Sequence, residues 1–317
     1  AMITAGPSVT NVSRLATPAG HALPSWVYEQ LGACPVSRHP VDVSGMSVQV
    51  ADAKDLALVS VVVPDALSLP SLEFQRCAAK AYAAVARSLN RMNARHPVRF
   101  WNFIPDIHSS TGDGMDRYMV FNAGRFAAFT EWYGGIDRFD HRLATATGIG
   151  HDGADLVIHA LGSDRPGVHI DNPRQCSPHC YSTRYGPLPP CFARATVVER
   201  GATSPPLWLI GGTSSVFGEA SVHDRDVAGQ VEETFLNLSC LLETIGGATA
   251  SQGTSTRETR VDWLKSFRHL RVYYRVPDHA ERIREMVGQR LPHLSNVEYL
   301  RSDICRRELL VEMEGIA

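Results

Sequence analysis

The sequence lacks an excess of charge of either sign: 31 Lys and Arg stand against 33 Asp and Glu, for a net charge of −2. So balanced a chain offers no basic stripe for nucleic acid and no Lys/Arg cluster for an anionic lipid surface. Long apolar runs are missing too. The most apolar stretch, LALVSVVVPDAL at 56–67, is too short to span a bilayer and is broken by Pro64 and Asp65. The stretch AMITAGPSVTNVSRLATPAG has no charged segment leading into an apolar one. A cytoplasmic protein with no nucleic-acid or membrane partner is therefore expected. A paired cysteine framework is also absent. The seven cysteines are odd in number and widely scattered, which favours reduced thiols. There is no Walker loop, no GxSxG elbow, no HExxH helix and no internal repeat.

One cluster has metal-ligand residue types: CSPHC at 176–180, with Cys176, His179 and Cys180. A zinc site needs a fourth ligand and usually a second pair at similar spacing. Cys191, behind two prolines, is the nearest candidate, so a Pro-rich loop without metal is the expected reading. TGIGHDGAD at 147–155 resembles a dinucleotide turn, but it precedes a strand pattern instead of following one.

What is present is ample core: 44% of the 317 residues are hydrophobic, enough for two domains. The first forty residues, with five prolines, read as an irregular arm. SVQVAD (47–52), ALVSVVVP (57–64) and VRFWNFIPDI (98–107) read as strands. A helix is expected from Ser71, with Phe74, Ala78, Ala81, Val85, Leu89 and Met92 on one stripe. DRYMVFNAGRFAAFTEWYGG (116–135) reads as a short strand and then a helix. Further on, 154–161, 193–200, 207–216, 270–276, 297–302 and 307–314 read as strands, and 224–247 and 278–291 as helices. The stretch 162–193 reads as loop. Strands and helices without strict alternation predict an α+β fold, its mixed sheets covered by helices on one face. The Gly-rich TGIGHDG places a domain boundary at 150/151, giving an N-terminal domain 1–150 and a C-terminal domain 151–317.

Several side chains suit a small aromatic-like acid. Tyr118 and Arg125 flank MVFNAG, and Tyr185 and Arg194 flank GPLPPCFA. Arginine donates two parallel hydrogen bonds to a carboxylate, and tyrosine offers a hydroxyl and a flat apolar face. IGGTSSVFG (210–218) can present backbone N–H groups to an anion, which makes Gly212, Thr213 and Gly218 candidate contacts. In the closing strand, period two sets Glu308, Leu310, Glu312 and Glu314 on one face. Three carboxylates on a face read as a solvated surface. Cys305 precedes Glu312 by an odd interval, so both can face one site only if the chain bends between them.

RFWNFIPDI, DRYMVFNAGRFAAF, ATGIGHDGADLVIHAL, YGPLPPCFARA, LIGGTSSVFGEASVHDRDVAGQVEETFLNL and DICRRELLVEMEG together resemble the chorismatases, which cleave pyruvate from chorismate. The likeness is collinear from about residue 99 to the C-terminus. It implies an α+β fold of two halves like the YjgF-type reactive-intermediate deaminases, chorismate as substrate and no cofactor. It also implies that Glu312 is the catalytic acid and that Tyr118, Arg125, Tyr185 and Arg194 bind substrate. Gly218 and Cys305 match the branch forming 3-hydroxybenzoate, in which Cys305 is a second catalytic residue beside Glu312 that shapes the pocket. The alternatives are the hydrolase branch, whose product is a dihydroxycyclohexadiene carboxylate, a 4-hydroxybenzoate-forming variant, and a non-catalytic binder of aromatic acids. Monomer and homo-oligomer stay open. The chain departs from the family at Gly211, where serine is usual, and at Glu219, where histidine is usual. A carboxylate at 219 would repel an anionic substrate if it faced the site.

Overall fold

The computed structural model describes residues 10–11, 22–40, 46–112, 114–201, 204–250 and 262–317. The first half runs β1 (Thr10–Asn11), α1 (Ser25–Leu31), β2 (Pro35–Pro40), β3 (Ser47–Asp52), β4 (Leu56–Val63), α2 (Ser71–Leu89), β5 (His96–Pro105), β6 (Ser110–Gly112), β7 (Met115–Asp116), α3 (Arg117–Tyr133), α4 (Phe139–Arg142), β8 (Thr145–His151) and β9 (Leu156–Ser163). Seven of these strands form one sheet in the order β1-β2-β3-β4-β9-β5-β8. β5 and β8 run parallel and the other neighbours antiparallel. The expected apolar stripe of α2 packs on this sheet, with Phe74, Ala78, Ala81, Val85 and Leu89 all buried. Residues 22–40, expected as an irregular arm, instead supply α1 and β2. Trp26, Val27 and Leu31 bury one face of α1, which gives that short helix its anchor.

The second half runs β10 (Val168–Ile170), β11 (Ala195–Val198), β12 (Leu207–Ser214), β13 (Val216–Phe217), β14 (Ala220–Ser221), α5 (Val227–Ala250), β15 (His269–Tyr274), α6 (Ala280–Arg290), β16 (Val297–Arg301) and β17 (Val311–Ile316). Six strands form a second sheet in the order β10-β11-β12-β17-β15-β16. β15 and β16 are parallel, and the other neighbours antiparallel.

The two halves share one plan. In each, a hairpin is followed by a helix, a strand, a helix and two closing strands: β3-β4-α2-β5-α3-β8-β9 and β11-β12-α5-β15-α6-β16-β17. In each sheet the last strand inserts beside the hairpin, and the outer pair is parallel. This plan moves the expected division at 150/151. β9 is the closing strand of the first sheet, and the Gly-rich stretch at 145–151 is β8 itself, so the first sheet ends at Ser163.

The sheets meet face to face. Trp101, Phe103 and Val157 of the first share a buried cluster with Leu209, Tyr273 and Ile316 of the second. Helices α2 and α3 cover the far face of the first sheet, and α5 and α6 that of the second. The result is an α+β fold of mixed sheets, each with helices on one face. Among the described residues no helix is long and apolar enough to cross a membrane.

Candidate active site

A cavity of about 320 Å³ opens where edge strand β8 of the first sheet meets the central strands β12 and β17 of the second. α3 and β8 line it from the first half, and β12, β17 and the turn at 305–309 from the second. The chain between β10 and β11 closes it with Tyr181, Arg184, Tyr185, Pro190, Phe192 and Arg194. The stretch 162–193, expected as plain loop, contains β10 and two single helical turns at 178–180 and 183–185.

Helix α3 is placed by its ends and by one close approach. The Asp116 carboxylate caps it, accepting from Met119 N at 2.9 Å. Gly124 lets it lie against α2, for a Cβ there would come within 2.9 Å of the Ala78 Cβ. The helix then presents Tyr118 and Arg125 to the cavity. Arg125 is 1% exposed, and its Nη2 donates to Asn122 Oδ1 at 2.8 Å. Its Nε has no hydrogen-bond partner. Arg194, 4% exposed, donates through Nη2 to the Cys176 carbonyl at 3.0 Å and to Tyr181 Oη at 2.6 Å. Its Nε is also unpartnered. No carboxylate among the described residues forms an ion pair with either guanidinium, and the Phe192 ring lies near both, 5.8 and 5.3 Å from their Cζ atoms. Two buried cations without an anion are a costly arrangement unless a ligand supplies one.

Glu312 faces them from β17 and is 4% exposed. Ser214 Oγ, its neighbour across β12, donates to Glu312 Oε2 at 3.2 Å. Burial, with the like charge of Glu314 behind it, pushes the Glu312 carboxyl up to about 8, so it carries a proton at neutral pH. Gly212 leaves room beside it, because a Cβ there would meet the Glu312 carboxyl. Burial and the nearby Glu312 likewise push the Cys305 thiol up to about 12, which keeps it neutral. Burial raises the Tyr118 hydroxyl well above its ordinary range.

The expected strand from Arg307 begins only at Val311. Residues 305–310 turn instead, with Leu309 N donating to Arg306 O at 3.1 Å. Buried Gln230 of α5 holds this turn: its Nε2 donates to Glu308 O at 2.8 Å and its Oε1 accepts from Leu310 N at 2.7 Å. This is the bend that the parity of Cys305 and Glu312 demands, and both residues line the cavity. The face expected to be solvated is interior at Glu312 and Glu314.

Tyr185 also lines the cavity, with the Arg306 guanidinium 3.7 Å from its ring centroid. The expectation for 210–218 is corrected. Gly211 and Gly212 form a bulge inside β12, not a loop after it, because one extra residue lies between the pairs Ile210–Gly315 and Thr213–Met313. Their N–H groups are used within the protein, by Arg194 O at 2.9 Å and Thr147 Oγ1 at 3.1 Å. Gly212 lines the cavity through its surface alone. Thr213 and Gly218 are not among the lining residues: Thr213 Oγ1 donates to Gly211 O, and Gly218 N to Arg174 O. Glu219 turns away as well. Its carboxylate accepts from Ser182 N at 2.8 Å and Ser182 Oγ at 2.7 Å, which lowers it below the usual range. Its charge therefore does not face the cavity. In CSPHC, His179 Nε2 is bonded to Asp140 at 2.6 Å, and Cys176 and Cys180 are exposed. Among the described residues, no group of three or more His, Cys, Asp or Glu could hold a metal ion.

Tyr181, Phe192, Ser214 and Arg306 also stand on the cavity wall, though no motif marks them. Arg306 follows Cys305 and Ser214 lies two residues beyond Gly212, so nearness in sequence is the one signal for them. Glu314, whose carboxylate is 1% exposed, is likewise unmarked by any motif. That carboxylate accepts from Arg99 Nη2, Thr147 Oγ1, Trp101 Nε1 (3.1 Å) and Tyr273 Oη (2.9 Å).

Residues 36–162 match the family described as chorismatase FkbO/Hyg5-like, N-terminal. The chain is 32% identical over 250 residues to a 3-hydroxybenzoate synthase of Streptomyces hygroscopicus, spanning 78% of this chain and 71% of that protein. It is 35% identical over 221 residues to a chorismatase of the same organism, spanning 69% of this chain and 60% of the relative. A crystal structure of a chorismatase superimposes with a TM-score of 0.74 at 28% identity, covering 89% of this chain and 79% of that one.

Proposed function

The chain belongs to the chorismatase family, and from that premise we propose that it cleaves chorismate to pyruvate and 3-hydroxybenzoate. The observation that carries this reading is a protonated, buried Glu312 set across one cavity from two guanidiniums that no carboxylate of the described chain pairs. Chorismate carries two carboxylates and an acid-labile enol ether. Its carboxylates answer Arg125 and Arg194, and the cavity volume is in the range of small-molecule sites.

Glu312 donates its proton to the enol methylene carbon, making an oxocarbenium centre. The bond from the ring C3 to the ether oxygen then breaks, and pyruvate leaves with that oxygen as its ketone. With water excluded, the C4 hydroxyl oxygen bonds to C3 and loses its proton. Opening of the C4–O bond, reprotonation of the oxygen and loss of the C3 proton give 3-hydroxybenzoate. No water is consumed, and one proton returns to Glu312. The 32% identical relative is a 3-hydroxybenzoate synthase, which supports this product. The neutral Cys305 thiol beside Glu312 supports it too, by filling space that water would need.

The test is incubation with chorismate, with pyruvate assayed and the ring product resolved by chromatography. Equal yields of pyruvate and 3-hydroxybenzoate are expected. Pyruvate with a diol would move the chain to the hydrolase branch, and no pyruvate would end the proposal. Glu312→Gln should bind chorismate as the wild type does and lose about 10²–10⁴-fold in kcat, the usual contribution of a general acid.

A further inference from the structure

Glu312 and Glu314 stand two residues apart on one face of β17, both buried, and they share few partners. Their surroundings are unequal. Glu314 accepts four hydrogen bonds, two of them from the Arg99 guanidinium and the Trp101 indole, groups that can only donate. Glu312 accepts one, from Ser214. An anion is far better satisfied at 314 than at 312. The second position is also tied to the first. Thr147 Oγ1 donates to Glu314 and accepts from Gly212 N, and Gly212 is the residue against which the Glu312 carboxyl rests.

We propose that Glu314 is a positioning residue for the acid step: the four donors gathered on it leave the proton of the pair to Glu312, and its bond to Thr147 holds the Gly212 bulge against that carboxyl. This rests on the reading of Glu312 as the acid. Of the other charged groups around Glu312, Arg125 of α3 and Arg306, Arg307 and Glu308 of the turn line the same cavity. Arg99 of β5 and Arg194 of the chain before β11 oppose the effect of Glu314. Cys305 of the turn and Tyr118 of α3 are neutral, and Tyr273 of β15, paired with Glu312 in register, donates to Glu314.

Glu314→Gln in the full chain tests this. Two readouts are used: the pH profile of kcat and KM for chorismate, and infrared titration of the carboxylic C=O band that Glu312→Gln lacks. The Glu312 ionisation is expected to fall by about one pH unit. The kcat should then drop several-fold at pH 8 and recover towards pH 6, with KM little changed. An unmoved titration, or a loss of kcat equal at every pH, overturns the proposal. Should the single variant not fold around an unpaired Arg99, Arg99→Met/Glu314→Gln removes both charges together. It is expected to shift the ionisation in the same direction by less, and an unshifted value in it overturns the proposal equally. The infrared readout needs no substrate. A shifted titration in a protein whose wild type releases no pyruvate therefore fails the proposed function and leaves the pairing of Glu312 with Glu314 standing.

Discussion

Arg99 and Arg271 are buried arginines with carboxylate partners, Glu314 and Glu298. Arg125 and Arg194 are equally buried and have none, and that contrast is what marks them for a ligand. Replacing either with alanine is expected to raise KM for chorismate by about 10- to 100-fold, the worth of roughly 1.5–3 kcal/mol for a hydrogen bond to a charged group. Lysine at either position should not restore it, because a point charge cannot supply the planar fork. Thermal stability should hold or rise, since each guanidinium is an uncompensated buried charge in the free protein. Steady-state kinetics and melting curves on the four variants check this, and an unchanged KM would remove the residue from the substrate site. The arginines were legible in the sequence as residue types beside aromatic rings. The burial of Glu312 and Glu314 was not. Alternation puts them on one face, but whether that face is wet depends on partners such as Arg99, 215 positions away.

At the scale of elements, the pattern of spacing served well where an element packs on one neighbour. β3 and α2 begin where Val-rich alternation and the apolar stripe placed them. It failed in the last strand, because the residues before Val311 are shaped by a side chain from another element. Gln230, 0% exposed on α5, bonds backbone atoms of Glu308 and Leu310. Gln230→Leu keeps the volume and removes those bonds. We expect a loss of about 1–3 kcal/mol from the unsatisfied backbone groups. We also expect a fall in kcat larger than any change in KM, since the turn aims Cys305 and leads into Glu312. Denaturant unfolding and kinetics measure the two effects. Full kcat in a destabilised variant would show that the turn does not set the acid.

The whole molecule carries the cost of Glu312 as a dependence on pH. Its folded value of about 8 lies above the ordinary 4.5, so between these values the folded chain retains a proton that the unfolded chain releases. The linked stability is full below 4.5 and is lost as pH rises through 8. Glu312→Gln has no such slope. It should melt several degrees above the wild type near pH 9, with the difference vanishing near pH 5, and parallel melting curves across that range would contradict the assignment. The α+β class was legible from the mixture of strands and helices, but the division of the chain was not. β9 is as apolar as any opening strand, and only its pairing between β4 and β5 makes it a closing one. The repeated plan of the two halves has a further consequence. In an assembly of identical subunits every substitution is made on both sides of the cleft at once. Here the two sides are separate stretches of one polypeptide, so the first half could contribute Tyr118 and Arg125 while the second contributes Arg194, Cys305 and Glu312. A substrate with no symmetry of its own, basic-seeking at one end and proton-seeking at the other, is the kind of molecule that such a fused pair is free to fit.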